Sequence, residues 1–386
     1  MGRRILFISN GHGEDNHSAH VIRRLRERAP DIEILALAIV GQGSAYRRLG
    51  VPLVGPMRDL PSGGFTYKRA RLILGDIRGG IVGLTLGQIG ALRRVAPRVD
   101  FVHATGDVVG QSFARISGRP YLSFISCLSA LYEGRLPVEP LLRQALRSPR
   151  CRAVVTRDPA TAEDLQRQGY AHARFGGIPS LDFLVPEGRD LGVPAEVPAV
   201  ALLPGSRLPE ARGNLALLMR VVAEAAALSG PPVGFVAALV PRLRAGLGDL
   251  AAQEGWRLEG DMLHGPGGAR IACPEGAFAD ILHRATLVLG MAGLAVDQAV
   301  ALGRPVIQVP GPGPQFTWAF AEAQERLLGL SARTVGTGPA GPDDLRRAAE
   351  LVRETLAESD YLARAARNGR ERLGRPGAAD RIVDLL

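Results

Sequence analysis

Cysteine, lysine, aromatic residues and long apolar runs are all scarce in this chain, and most of these scarcities remove a class of protein. The three cysteines, Cys127, Cys151 and Cys273, lie far apart with no paired spacing, so neither a disulfide framework nor a cysteine-based zinc site is expected. Lys68 is the only lysine, so arginine carries nearly all of the positive charge. The net charge of +9 suits an anionic partner such as nucleotide, phospholipid or nucleic acid without choosing among them. The arginines are dispersed and no nucleic-acid motif is present, so no nucleic-acid partner is expected. No uncharged stretch is long enough to span a bilayer, and the apolar run that follows Arg4 is too short for a signal peptide. The reading is a cytoplasmic protein whose membrane contact is confined to its surface. There is no internal repeat of fixed period and no low-complexity tail.

What is present points to a packed α/β protein. The chain has 386 residues, 46% of them hydrophobic, with 48 glycines and 28 prolines, which suits two domains with many tight turns. Short apolar strands alternate with helical patterns, the sequence form of parallel sheets with crossover helices. Strands are expected near Ile5–Ser9, Glu33–Ile39, Phe101–Ala104, Tyr121–Ile125 and Ala153–Thr156 in a first domain over residues 1–178. A second domain over 199–359 is expected to hold strands near Val200–Leu203, Val233–Ala237, Ala269–Ala272, Leu287–Leu289 and Pro305–Val309. Residues 179–198, with Pro179, Pro186, Pro194 and Pro198 and little periodicity, read as the linker beside a cleft.

Four strand-to-helix turns carry polar residues where parallel sheets bind ligands. In the segment Ala201 to Glu210, an apolar strand runs into Gly205, Ser206 and Arg207 and then an acidic helix start. Gly205 lets backbone approach an anion, Ser206 and free helix N–H groups donate to it, and Arg207 adds a forked charged donor. An ordinary capped loop is the competing reading. The first strand ends in Asn10, Gly11, His12, Gly13, Glu14 and Asp15. It is not a dinucleotide fingerprint, but His12, Glu14 and Asp15 are acid–base candidates, against a helix with acids in its first turn. Asp107, in Thr105-Gly106-Asp107, stands at the end of a central strand, as a base for an acceptor hydroxyl or as a helix N-cap. The turn around Gly293 and Leu294 has small residues for a flat ligand, with Asp297 or Gln298 for ribose hydroxyls, and a Pro/Gly loop delivers Gln315.

The order of these motifs, Gly-x-Gly-Glu, Thr-Gly-Asp, Leu-Pro-Gly-Ser-Arg-x-x-Glu and Ala-Gly-x-Ala-x-x-Gln, resembles lipid-A-disaccharide synthase and the proteins related to it over nearly the whole chain. The second half is more distantly similar to the GlcNAc transferase of peptidoglycan synthesis. The resemblance implies a GT-B glycosyltransferase, with two Rossmann-like domains whose parallel sheets face a central cleft. It implies a nucleotide-sugar donor of the UDP-N-acetylhexosamine type on the second domain and a lipid-linked or glycolipid acceptor on the first. It also implies that residues 360–386 form a helix crossing back to the first domain. Carried over by position, Asp107 would be the general base. Gly205, Ser206, Arg207 and Glu210 would hold the donor phosphates, and Gly293, Leu294, Asp297, Gln298 and Gln315 the rest of the donor. Gly11, Gly13 and Asp15 would hold the acceptor, with His12 and Glu14 as further catalytic candidates. Gln298 stands where the family has glutamate, with Asp297 one position earlier, and His12 and Asn16 replace smaller residues.

The expected reaction is an inverting transfer. No Asp-x-Asp pair lies at a suitable strand end, so no metal or other cofactor is expected. Residues Leu72–Leu92, apolar and flanked by arginines, offer either a buried helix pair or a surface for anionic membrane. The homodimer is left open. Two other functions remain from sequence: a nucleotide-sugar 2-epimerase, and a non-catalytic nucleotide-sugar binder that kept the fold.

Overall fold

The computed structural model describes residues 3–58 and 80–386. The chain divides into two compact units, residues 1–183 with 376–386, and residues 184–375. Each is built on a sheet whose strands are almost entirely apolar, because a parallel sheet is covered on both faces and has no side left for water.

The first unit has six parallel strands in the order β2-β1-β3-β4-β5-β6. They are β1 Arg4–Ser9, β2 Glu33–Ala38, β3 Phe101–Thr105, β4 Tyr121–Ile125, β5 Cys151–Thr156 and β6 Ala173–Phe175. Every residue of β3 and β4 is buried. The order reverses between β1 and β3, so the loops that follow those two strands border the sheet's switch point, where open α/β sheets take their ligands.

The second unit has eight strands in the order β14-β13-β12-β7-β8-β11-β10-β9. They are β7 Ala199–Leu203, β8 Gly234–Ala237, β9 Arg257–Glu259, β10 Met262–His264, β11 Arg270–Ala272, β12 Ala285–Gly290, β13 Val306–Gln308 and β14 Ala332–Thr334. From β14 to β11 the pairing is parallel, and β9 and β10 add an antiparallel hairpin. Gly260, at φ +60°, makes its tight turn, a backbone region that glycine enters without steric cost.

All ten expected strands are present. The four unexpected ones, β6, β9, β10 and β14, have three residues each, too few to show a period of two. Of the stretch 72–92, residues 72–79 lie outside the described residues. The rest is in the helix Ile81–Val95, which buries Leu84, Gln88, Ala91 and Leu92 and leaves Val82 and Leu86 exposed. Among the described residues no helix is long and apolar enough to cross a membrane.

The chain's end is two helices rather than one. Ser359–Leu373 belongs to the second unit and packs so closely that a Cβ on Gly369 would lie 2.1 Å from the Val300 carbonyl oxygen. After a break at Gly374–Gly377, the short helix Ala378–Val383 belongs to the first unit. Asp182 accepts there from the backbone N–H groups of Gly377, Ala378 and Ala379, at 2.5, 3.2 and 2.6 Å. One carboxylate thus satisfies three donors at a helix start. Asp182→Ala is expected to lower the stability of the first unit by about 1–2 kcal/mol, the usual size of a lost cap. An unchanged urea midpoint would refute that role.

Candidate functional site

In the first unit, the loops leaving β1, β3 and β4 bring Asn10, Glu14, Asp107 and Cys127 together. Glu14, in the first turn of the helix His12–Arg28, is buried. Its Oε2 accepts from the Asn10 backbone N–H at 2.5 Å, and its Oε1 accepts from the Cys127 thiol at 3.0 Å. The Asn10 side-chain amide lies 3.3 Å from both oxygens of Asp107, so one residue spans the two acids. Gly106 is required here: it sits at φ +123°, and a Cβ on it would fall 2.4 Å from the Glu14 carboxyl carbon. Burial, and the Asp107 charge after it, raise the Glu14 pKa to about 8. Burial raises that of Asp107 as well, and pushes the Cys127 thiol well above its ordinary value, with Glu14 adding to the rise.

Asp107 also caps the helix Val108–Ile116, accepting from the Val109 N–H at 3.0 Å. Of the two sequence readings of this residue, the cap is the one this contact shows. Asp15 turns inward instead: its Oδ1 accepts from the Ser9 hydroxyl at 2.5 Å, and Ser9 is 2.5 Å from the Tyr46 phenol. Burial raises Asp15 to about 7. Its carboxyl is part of the floor under the loop rather than of the loop surface. His12 is exposed and stands over Gly41, where a Cβ would lie 3.1 Å from its ring; no hydrogen bond ties it to the acid cluster among the described residues. Gly11 is the N-cap position, and Gly13 is exposed with open space where a Cβ would be. Next along the sheet, after β5, the mostly buried Arg157 donates to the Ser126 carbonyl at 3.4 Å.

In the second unit, the loops after β7, β12 and β13 converge. Gly205 adopts φ +95° beside the Met291 carbonyl, 3.3 Å from where a Cβ would stand. Ser206 and Arg207 are exposed, and Arg207 Nη1 donates to Gln315 Oε1 at 3.0 Å. Glu210, first residue of the helix Glu210–Ala227, accepts from the backbone N–H groups of Gln315 and Phe316, at 3.0 and 2.7 Å. Gly313 passes so close that a Cβ would lie 2.6 Å from the Glu210 carboxyl. Asn214 on the same helix donates to the Pro204 carbonyl at 3.0 Å. Gly293 caps the helix Leu294–Ala301, with Leu294 partly exposed at its start. Gln324 donates to the Gly293 carbonyl and to Asp297 Oδ1, both at 3.0 Å. Asp297 is thus turned toward the helix Trp318–Leu328, while the Gln298 amide makes no hydrogen bond among the described residues.

Sequence reasoning missed Asn10 and Cys127 as members of the acid cluster, and Ser9 and Tyr46 beneath it. Cys127 had a signal, since it stands two residues past the end of β4, the position that singled out Asp107 after β3. Tyr46 had none, because its approach to Ser9 depends on packing across the sheet. Among the described residues no group of three or more His, Cys, Asp or Glu side chains is arranged to hold a metal ion.

No protein-family model and no curated protein matches the sequence. Solved structures do match in shape. The calicheamicin glycosyltransferase CalG4 is 19% identical with a TM-score of 0.66, covering 100% of this chain and 98% of its own. MurG from Acinetobacter baumannii is 17% identical with a TM-score of 0.61, covering 99% of each chain. A UDP-GlcNAc 2-epimerase from Neisseria meningitidis, solved with UDP-GlcNAc bound, is 14% identical with a TM-score of 0.54, covering 99% of each chain. At these identities the likeness is one of fold: an α/β protein of two Rossmann-like units, the GT-B type.

The acid cluster makes stability depend on pH. Unfolded, Glu14 and Asp15 release their protons near 4.5 and 3.8; folded, they keep them to about 8 and about 7. Their stabilisation is complete below the unfolded values and is lost as pH rises through the folded ones. His17, His20 and His103 act oppositely. Burial lowers them from 6.5 to about 3, about 4 and about 3, so stability falls as the pH drops below 6.5. From pH 6.5 to 8 the carboxyls are expected to cost the first unit up to ~2 kcal/mol each, offset in part by about 0.4 kcal/mol from each histidine, which is half protonated at pH 6.5 when unfolded. Glu14→Gln, neutral at every pH, is expected to remove most of its share. A change in urea midpoint from pH 6.5 to 8 that is the same in the Glu14→Gln chain as in the wild type would contradict the buried proton on Glu14.

Proposed function

We propose that this chain is an inverting glycosyltransferase that uses a nucleotide-sugar, of the UDP-N-acetylhexosamine type, as donor. The observation that carries the reading is the convergence of three strand-end loops in the second unit. A positive-φ glycine, an exposed hydroxyl and an exposed guanidinium stand together there at a helix start, braced from behind by Glu210. Diphosphate is the ligand such a loop suits, since backbone N–H groups, the helix dipole and a forked cation all favour a doubly charged anion. The neutral carbonyl of Gln315 holds Arg207 without cancelling its charge. Gln298 is the proposed ribose contact, because Asp297 already accepts from Gln324. Solved structures of like fold include glycosyltransferases and an epimerase holding UDP-GlcNAc.

In this reading Asp107 takes the proton of an acceptor hydroxyl. The acceptor oxygen forms its bond to the anomeric carbon from one face, and the bond to the donor phosphate breaks on the other. The electron pair leaves on the diphosphate, where Arg207 and the helix N-terminus stabilise it. Glu14, uncharged near neutral pH, lets Asp107 ionise without a second negative charge beside it. No divalent ion takes part, and EDTA is expected to leave turnover unchanged. The motif resemblance to lipid-A-disaccharide synthase makes a lipid-linked acceptor the first class to supply.

One observation favours a second reading. A nucleotide-sugar 2-epimerase needs acid–base groups around the sugar, and the two buried acids Glu14 and Asp107 follow the neighbouring strands β1 and β3 and are bridged by Asn10.

Calorimetric titration with UDP and UDP-GlcNAc tests the donor site. Arg207→Ala is expected to weaken binding by at least about tenfold, the scale of one charge-assisted hydrogen bond. Asp107→Asn is expected to keep binding while losing about 10²–10⁴ in turnover, the usual contribution of a general base. No nucleotide binding by the wild-type chain would overturn the reading.

A further inference from the structure

On the opposite edge of the first sheet, away from the acid cluster, three arginines line one open pocket. Arg115 is in the last turn of the helix Val108–Ile116, Arg147 ends the helix Pro140–Leu146, and Arg150 directly precedes β5. With Gln144, Ser148 and Pro149 they line an open surface concavity of about 450 Å³. All three arginines are exposed at the surface, and none forms an ion pair with an acid among the described residues.

Three features order this pocket in advance. The Arg147 guanidinium lies over the Tyr170 ring, 5.5 Å from its centroid. The Tyr121 phenol beneath donates to the Ala145 carbonyl at 2.5 Å and feels the charges of both Arg115 and Arg150. The Arg150 backbone N–H donates to the Ser148 hydroxyl at 3.3 Å, folding the turn that carries both residues. Helix C-terminal carbonyls account for one cation at each helix end, but not for a third beside them. Three like charges around one concavity repel one another, and a multiply charged oxyanion relieves that repulsion while accepting forked guanidinium hydrogen bonds.

We propose that Arg115, Arg147 and Arg150 form a second anion site, separate from the donor loop, that binds a phosphate-bearing ligand of at least two negative charges. It stands apart from the nucleotide-sugar reading, since it lies at the amino ends of the strands and shares no residue with either half of the candidate site. A soluble diphosphate and a phosphomonoester lipid headgroup present this same chemistry.

The test uses the full chain carrying Arg207→Ala, which removes the donor-loop guanidinium, titrated with inorganic pyrophosphate at low ionic strength. One site is expected to remain and to weaken as NaCl is added. Adding Arg115→Ser and Arg150→Ser is expected to cost at least about tenfold in affinity. Arg115→Lys with Arg150→Lys, which keep the charge, are expected to retain most of it. Circular dichroism shows whether each variant is folded. Sedimentation with phosphatidic acid vesicles, whose phosphomonoester headgroup carries up to two charges, separates the sources. Binding of pyrophosphate without vesicle retention identifies a soluble ligand, and vesicle retention lost in the serine variant identifies a headgroup. Two results would overturn the site: neither probe binding the Arg207→Ala chain, or both binding the serine variant as well as its parent.

Discussion

Taking the Glu14 carboxyl out of water fixes the geometry around it. A buried acid needs donors, and Glu14 takes the Asn10 N–H and the Cys127 thiol. That choice sets the path of the chain as it leaves β1 and draws the end of β4 toward it. It also demands glycine at position 106, where any side chain would collide with the carboxyl. With Gly106 fixed, Asp107 follows directly, and its carboxylate caps the next helix while meeting the Asn10 amide. Three strand ends are thus locked around two acids whose ionisation is held apart by burial and by each other.

The second unit solves a similar problem with a different economy. Glu210 faces backward rather than toward the loop it opens, accepting two backbone N–H groups from the stretch after β13. Its negative charge therefore braces the loop instead of competing with an incoming anion. Arg207 is left forward, held by a neutral amide. Gln324 does the same service one loop away by accepting no charge of its own and tying Asp297 to the Gly293 carbonyl. Glu210, Asp297 and Gln324 set loop positions here, and Ser206 and Arg207 stay exposed.

How much of this was readable in advance depended on the range of the interaction. The α/β class, the ten principal strands and the four strand-end motifs are local patterns, and they are where the sequence places them. The short strands β6, β9, β10 and β14 were not legible, since pairing with a neighbour rather than periodicity defines them. Asp107 could be read as base or cap because both roles ask for the same carboxylate at the same place. Asp15 and Glu14 are adjacent acids in one motif, yet one points under the sheet loop to Ser9 and the other to Cys127. A helix turns about 100° per residue, so neighbours face different surroundings, and only the tertiary packing says which. The same turn separates Asp297 from Gln298. The arginine pocket was illegible for the opposite reason: Arg115 and Arg150 are far apart in sequence and unremarkable in a chain where arginine is everywhere.

The chemistry proposed for this chain is group transfer from a nucleotide-sugar. The most direct measurement is proton NMR of UDP-GlcNAc incubated with the full chain, with and without a panel of lipid-linked hydroxyl acceptors. The expected result is an unchanged sugar configuration in the donor at all times, with UDP released slowly as free sugar forms by hydrolysis, and faster once an acceptor is supplied. Accumulation of the 2-epimer of the donor in the absence of any acceptor would contradict the claim and assign Glu14 and Asp107 to epimerisation.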